Sequence, residues 1–228
     1  MVSTWIKYLT ELKSKEPIVI VGSPGLRSVG NLVVDQLIHD LKSKLIAQLY
    51  STHFPTFYQT SPSYAPNPDL PGESGVNIIR QNPELPKIEF HYSSFPELLL
   101  IKGYHANFYG QYEVAETVLD FFENARCKMM IAVAGYAHGE SEVCCAATNS
   151  KLIGEMGKYD IKTEYTGPFY GFTGLVFGLA TLRDLKGVCL FGRTRPNPEH
   201  PEEPDPEAAK MVLEKIFQIL EIEPKFSA

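Results

Sequence analysis

Two rhythms of hydrophobic and polar positions alternate along the chain. A continuous apolar run at 18–21 ends in a Gly/Pro turn, and apolar residues then recur at Leu26, Val29, Val33, Leu37 and Leu41 with a period near 3.6. That pattern predicts a strand, a tight turn and a helix, the opening unit of an α/β domain. Residues 44–50 predict a second strand. Residues 87–92 and Glu97–Lys102 predict two adjacent strands joined as a hairpin through residues 93–96. A helix over 112–125 carries Val114, Val118, Phe121 and Ala125 along one stripe, with Ala115, Leu119 and Phe122 beside it. The segment 128–134, apolar at every position after Lys128, suits a strand buried on both faces. A further helix is predicted over 172–185 and a strand over 187–191. Asp205-Pro206 supplies an N-cap with proline at the first helical position, opening a last helix that buries Val212, Ile216, Ile219 and Leu220. Strands alternating with helices predict a three-layer α/β fold. Its sheet is expected to be mixed, mostly parallel and flanked by helices, the hairpin supplying the antiparallel part.

One stretch breaks the rhythm. Residues 51–86 hold seven prolines and the turn-like pairs Pro71-Gly72 and Asn82-Pro83, with a short strand expected over 75–80. Its rings, Phe54, Phe57, Tyr58 and Tyr64, argue against simple disorder, so an ordered excursion from a single α/β domain spanning 1–228 is expected. The prolines leave too few ladder hydrogen bonds for a central strand. Aromatic rings are enriched at interface cores, so these four are the expected contacts of a homo-oligomer, with packing on their own domain as the alternative.

Composition narrows the function classes. A net charge of -6 argues against general nucleic-acid binding, which needs a basic face to neutralise phosphates. The longest apolar candidate for a membrane span, residues 171–182, is too short and runs into Arg183, Asp184 and Lys186. Residues 1–12 lack the apolar core of a signal peptide. Four cysteines in 228 residues do not make a disulfide framework, and a cytoplasmic setting is expected. Neither nucleic acid nor membrane is an expected partner.

Ligands of open α/β sheets usually sit at the carboxyl ends of strands, against helix N-termini. The run Gly22-Ser23-Pro24-Gly25-Leu26-Arg27-Ser28-Val29-Gly30 is therefore the first place to look for chemistry. It fails the dinucleotide fingerprint because Pro24 stands where the second glycine belongs. Gly25 and Gly30 have the P-loop gap, but Asn31 and Leu32 follow where Lys and a hydroxyl residue are needed. Arg27 supplies charge from a position that is not equivalent. Glycines in such turns also serve positive φ or close helix–sheet packing, which is the stronger explanation here. Two more glycine loops follow predicted strands, Gly103-Tyr104-His105-Ala106-Asn107 and Gly135-Tyr136-Ala137-His138-Gly139. On parallel strands all three loops share one edge. They define a candidate crevice of Gly22, Pro24, Gly25, Arg27, Gly30, Tyr104, His105, Tyr136 and His138.

No catalytic constellation stands out. Gly139-Glu140-Ser141-Glu142-Val143 lacks the second glycine of a nucleophile elbow. His138-Gly139-Glu140 is followed by adjacent Cys144-Cys145, not by the C-x-x-C of a zinc deaminase. Neither a metal nor a cofactor is expected.

Taken in order, these motifs resemble the archaeal family related to the second proteasome-assembly chaperone. The resemblance rests on the G-x-P-G-x-x-x-x-G start at Gly22, the run Leu100 to Gly103, Tyr112-Glu113 and Gly135-Tyr136. It continues through Gly167, Gly171, Gly174-Leu175-Val176, the strand at 188–191 and Asp205-Pro206-Glu207-Ala208-Ala209. It implies a phosphorylase- or hydrolase-like α/β fold, self-association and a role as an assembly factor, with proteasome subunits or another protein complex as partners. Some relatives are labelled ATP-dependent ligases, so a small-molecule or nucleotide-binding enzyme using the Gly22 to Gly30 turn is the alternative. Some assembly factors of this family end in a hydrophobic residue, a tyrosine and one final residue, which dock between α-ring subunits. Here the end is Glu223-Pro224-Lys225-Phe226-Ser227-Ala228, with a phenylalanine third from last behind a lysine.

Overall fold

The structure is a computed structural model and describes residues 3–55, 76–105, 107–195, 197–200 and 203–223. In chain order the elements are β1 (Thr4–Tyr8), β2 (Ile18–Gly22), α1 (Val29–Asp40), β3 (Lys44–Ser51), β4 (Asn77–Ile79), β5 (Asn82–Glu84), β6 (Ile88–Ser94) and β7 (Glu97–Lys102). They continue with α2 (Gln111–Asn124), β8 (Met129–Tyr136), β9 (Val143–Ala147), α3 (Ser150–Met156), α4 (Phe172–Leu182), β10 (Gly187–Arg193) and α5 (Pro206–Leu220). Eight strands form one mixed sheet in the order β1-β3-β6-β7-β2-β8-β10-β9, and β4 pairs with β5 in a separate ribbon. The central strands β7, β2, β8 and β10 run parallel, and the pairings toward both edges are antiparallel.

Period-two alternation explains why the central strands read as unbroken apolar runs. Val19, Val21, Leu99, Ile101, Met130, Ala132, Cys189 and Phe191 face a core shared with α2 and α4. Ile20, Leu98, Leu100, Ile131, Val133, Val188 and Leu190 face a second core shared with α1 and α5. Each strand therefore needs an apolar side chain at every position. The antiparallel part is one-sided. Ala47, Leu49, Ile88 and Phe90 are buried in the first core, while the alternate residues Gln48, Tyr50, Glu89 and His91 are polar and half-buried.

The structure adds four elements that the pattern did not announce: β1, β9, α3 and β5, which runs through the Asn82-Pro83 pair read as a turn. α3 opens on Asn149, whose side-chain oxygen accepts from the Leu152 N–H at 3.0 Å. The last helix ends its apolar stripe early, since Ile219 and Leu220 are only half-buried. Among the described residues no helix is long and apolar enough to cross a membrane.

Phe54 departs from the expected interface role. Its ring is 3% exposed and packs against Tyr104 and Phe108 of the same chain, with centroid distances of 4.9 and 5.2 Å. Residues 51–55 turn straight back onto the loop after β7, which places the ring inside its own protomer. Phe57, Tyr58 and Tyr64 lie outside the described residues.

The start of β1 is tied down by α2. Glu113 accepts hydrogen bonds from the Ser3 hydroxyl and from His53 Nε2 at 3.1 Å, and Thr4 Oγ1 lies 2.9 Å from Ser51 Oγ. The Ser3 hydroxyl first, then Thr4 and His53, hold the Glu113 carboxyl down at about 2. An ionised Glu113 supports this junction above its unfolded value of about 4.3, and the support is lost as pH falls toward the folded value. Amide exchange at the β1–α2 junction is expected to quicken across that acidic window. Glu113→Gln should exchange fast throughout the window, and a pH-independent wild type would refute the assignment.

Candidate functional site

The three glycine loops do converge at the carboxyl edge of β2, β7 and β8, but they fill the space between them. A methyl group built on Gly22 would lie 2.3 Å from the Gly30 carbonyl oxygen, and one on Gly30 would lie 2.8 Å from Val133 O and 2.9 Å from Ser23 O. A methyl on Gly103 would meet Ser23 Cβ at 2.5 Å, and one on Gly135 would meet Leu26 O at 2.6 Å. All but the Ser23 Cβ contact are approaches to backbone atoms, which only glycine permits. Gly103 N–H donates to Gly22 O at 2.8 Å, and Ser23 Oγ meets Thr173 Oγ1 at 2.7 Å in a buried bridge to α4. The Gly103 and Ser28 N–H groups, which could face a bound phosphate, are spent on the Gly22 and Gly25 carbonyls.

Arg27 is a strut. Residues Leu26–Ser28 form a single 3₁₀ turn in which Arg27 and Ser28 take φ of 46° and 55°. From there the guanidinium reaches Asp205 Oδ2 at 3.0 Å, Arg195 O at 2.7 Å and Glu203 O at 2.8 Å, with its side chain 12% exposed. The same Asp205 caps α5, accepting from Ala208 N–H at 3.0 Å, and its own N–H donates to Arg27 O at 3.0 Å. All the cationic donors seen to bond there hold protein oxygens.

The remaining crevice residues scatter. Tyr104 is buried against Phe54 and donates its hydroxyl to Pro55 O at 2.9 Å. His105 is buried, accepts from the Asn107 N–H at 3.2 Å through Nδ1, and burial lowers its pKa, which favours the neutral ring. Tyr136 is buried, its hydroxyl donates to Ser141 O, and burial raises its phenol well above the usual range. Pro24 and Gly25 are half-buried, while His138 is exposed in the loop after β8. A depression of about 270 Å³ touches this edge at Gly103 and Tyr104, lined also by Lys87, Glu89 and Lys102. Its lysines are paired, Lys87 with Glu84 and Glu89, and Lys102 with Asp35 at 3.0 Å. The model of the PAC2 family matches residues 19–226.

The chain belongs to the PAC2 family. Among solved structures it is similar to PbaB of Pyrococcus furiosus, described as an archaeal proteasome activator. The TM-score is 0.80 at 29% identity, over 99% of this chain and 92% of that one. It is similar in fold to PbaA of the same organism, described as an archaeal homologue of proteasome-assembly chaperone, with a TM-score of 0.73 at 19% identity over 96% and 88% of the two chains. An uncharacterised protein of Methanocaldococcus jannaschii is 27% identical over 96% of this chain and 81% of its own length. The expected family and the α/β architecture both stand.

At the same edge this PAC2 protein also presents exposed rings. Tyr109, Tyr112 and Tyr170 are 94%, 63% and 79% exposed. They flank the starts of α2 and α4, which Phe108 and Phe172 tie together at a centroid distance of 5.8 Å. Sequence reading passed over Tyr109 and Tyr170, and used Tyr112 only as part of the family pattern, because single exposed rings beside glycines carry no periodic signal. Burial holds the thiols protonated: it pushes half-buried Cys127 up to about 12, Cys145 up to about 11, and Cys189 well above its ordinary value. Among the described residues no group of three or more His, Cys, Asp or Glu could hold a metal ion.

Proposed function

We propose that this PAC2 member is a non-catalytic, self-associating protein that binds other proteins, with proteasome subunits or a related assembly as its target. The observation that carries this reading is the interlocked glycine edge: the turn that would hold a nucleotide is packed against Gly30, Ser23 and Val133, while tyrosines stand free around it. Tyrosine, with tryptophan and arginine, is enriched in protein-binding hot spots. The name of PbaB as a proteasome activator supports the choice of target. Phe57, Tyr58 and Tyr64 are further candidate contacts with a partner or a second subunit. The nucleotide-dependent ligase reading loses ground for the same reason, since Arg27 is occupied by Asp205.

Calorimetry with ATP and magnesium is expected to show no binding. A micromolar dissociation constant, lost in Gly25→Val, would overturn the non-catalytic reading. Co-elution with purified proteasome core particles is expected to weaken at least about thirtyfold in Tyr109→Ala/Tyr170→Ala, a loss in the hot-spot range. Equal retention of that variant would move the binding surface elsewhere.

A further inference from the structure

We propose that β1 is the self-association surface of this protein, where a second copy pairs antiparallel about a two-fold axis through Ile6; this rests on the self-association proposed above. Among the described residues β1 lies at the end of the sheet, with β3 on one side only. Thr52 N–H donates to Ser3 O and Leu9 N–H donates to Ile46 O, both at 2.8 Å. In the unbroken register Thr4↔Ser51 to Tyr8↔Ala47, odd-numbered residues therefore turn their backbone groups toward β3. Thr4, Ile6 and Tyr8 turn theirs outward, onto the free edge.

Edge strands are usually blunted by proline, a bulge or a covering segment. β1 has no proline and no register shift. The opposite edge is covered: β9 is bridged by the 162 segment through Cys144↔Lys162, with Cys145 N–H donating to Lys162 O at 2.8 Å. The outward groups of β1 thus ask for a strand, and its sequence suits its own copy. With Ile6 facing Ile6, Thr4 and Tyr8 form hydrogen-bonded pairs on either side, giving roughly six ladder bonds. Trp5 and Lys7 then face each other in both directions as non-bonded pairs, the closer kind, where side chains meet best.

That pairing is complementary in charge. Trp5 stacks on Tyr50 at a centroid distance of 5.9 Å and is still 44% exposed. The ammonium of Lys7 from the second copy would reach the electron-rich ring from its open side. The one charge on β1, which would guard a solitary edge, becomes a contact in the pair. Tyr8, 63% exposed and stacked on Phe121, gains a neighbour on the other face.

The test uses light scattering on the purified chain beside two variants. Ile6→Pro deletes an outward N–H that β3 does not use, so the protomer keeps its ladder. Trp5→Cys/Lys7→Cys places thiols across the expected pair, within disulfide reach. The expected results are a dimer or an even multiple for the wild type, a halved mass for folded Ile6→Pro, and a covalent dimer of the cysteine variant under mild oxidant. If Ile6→Pro does not fold, the crosslink decides. An unchanged oligomer in folded Ile6→Pro, an odd subunit number, or no crosslink in an oligomeric cysteine variant overturns the β1 assignment while self-association stands. A monomeric wild type overturns both and leaves the edge to a strand of another protein.

Discussion

Gly22→Ala should unfold most of the population or lower stability by at least about 3 kcal/mol, the upper range for overpacking a filled core. The added methyl would meet the Gly30 carbonyl at 2.3 Å for oxygen and 2.7 Å for carbon. Both atoms are backbone, held between β2 and the first turn of α1, so no side chain can swing aside. Moving α1 away would open the core of Val29, Val33, Val34 and Leu37 that it shares with the sheet. Gly154→Ala is the matched control. It sits in α3 with open space where the methyl would go, and should gain about 0.5–1 kcal/mol from the better helix propensity. Urea unfolding of the two variants beside the wild type decides it. A Gly22→Ala loss under about 1 kcal/mol, below the overpacking range, would mean that the edge has give and could open for a ligand.

Arg27→Met should cost about 3 kcal/mol, close to the lower end for removing one partner of a buried ion pair. The arginine and Asp205 side chains are only 12% and 11% exposed. Losing the guanidinium strands the Asp205 carboxylate and frees two carbonyl oxygens, Arg195 O and Glu203 O. Asp205→Asn in the same chain should recover part of the loss, because an amide can still cap α5 through its oxygen while carrying no charge. A double-mutant cycle by denaturant midpoint measures this coupling. Additive losses would show that the pair contributes nothing as a pair.

The sequence showed the layers better than the joints. Doubly buried strands such as β2 and β8 announce themselves because each position must be apolar, and α2 and α5 because one stripe must be. β1 and β9 stayed hidden for a physical reason: an edge strand has a neighbour on one side only and tolerates Lys7 or the small pair Ala146-Ala147. The convergence of the glycine loops was legible, since parallel strands bring them to one edge. Their use was not, because what each glycine touches lies on another element. The partner of Arg27 is 178 residues further along the chain, and no local pattern could have named it.

The order of synthesis follows from that same long link. β2, the first central strand made, has to wait for β7 and β8 on its flanks, and the turn after it closes only when Asp205 arrives at the head of α5. Until then Ile20, Val33 and Leu37 have lost one wall of their core. A ribosome-bound chain halted before α5 is therefore expected to bind an apolar dye and to be cut readily by protease, whereas a chain released after α5 resists both. Contacts of such high sequence separation place folding near the end of translation and not along it.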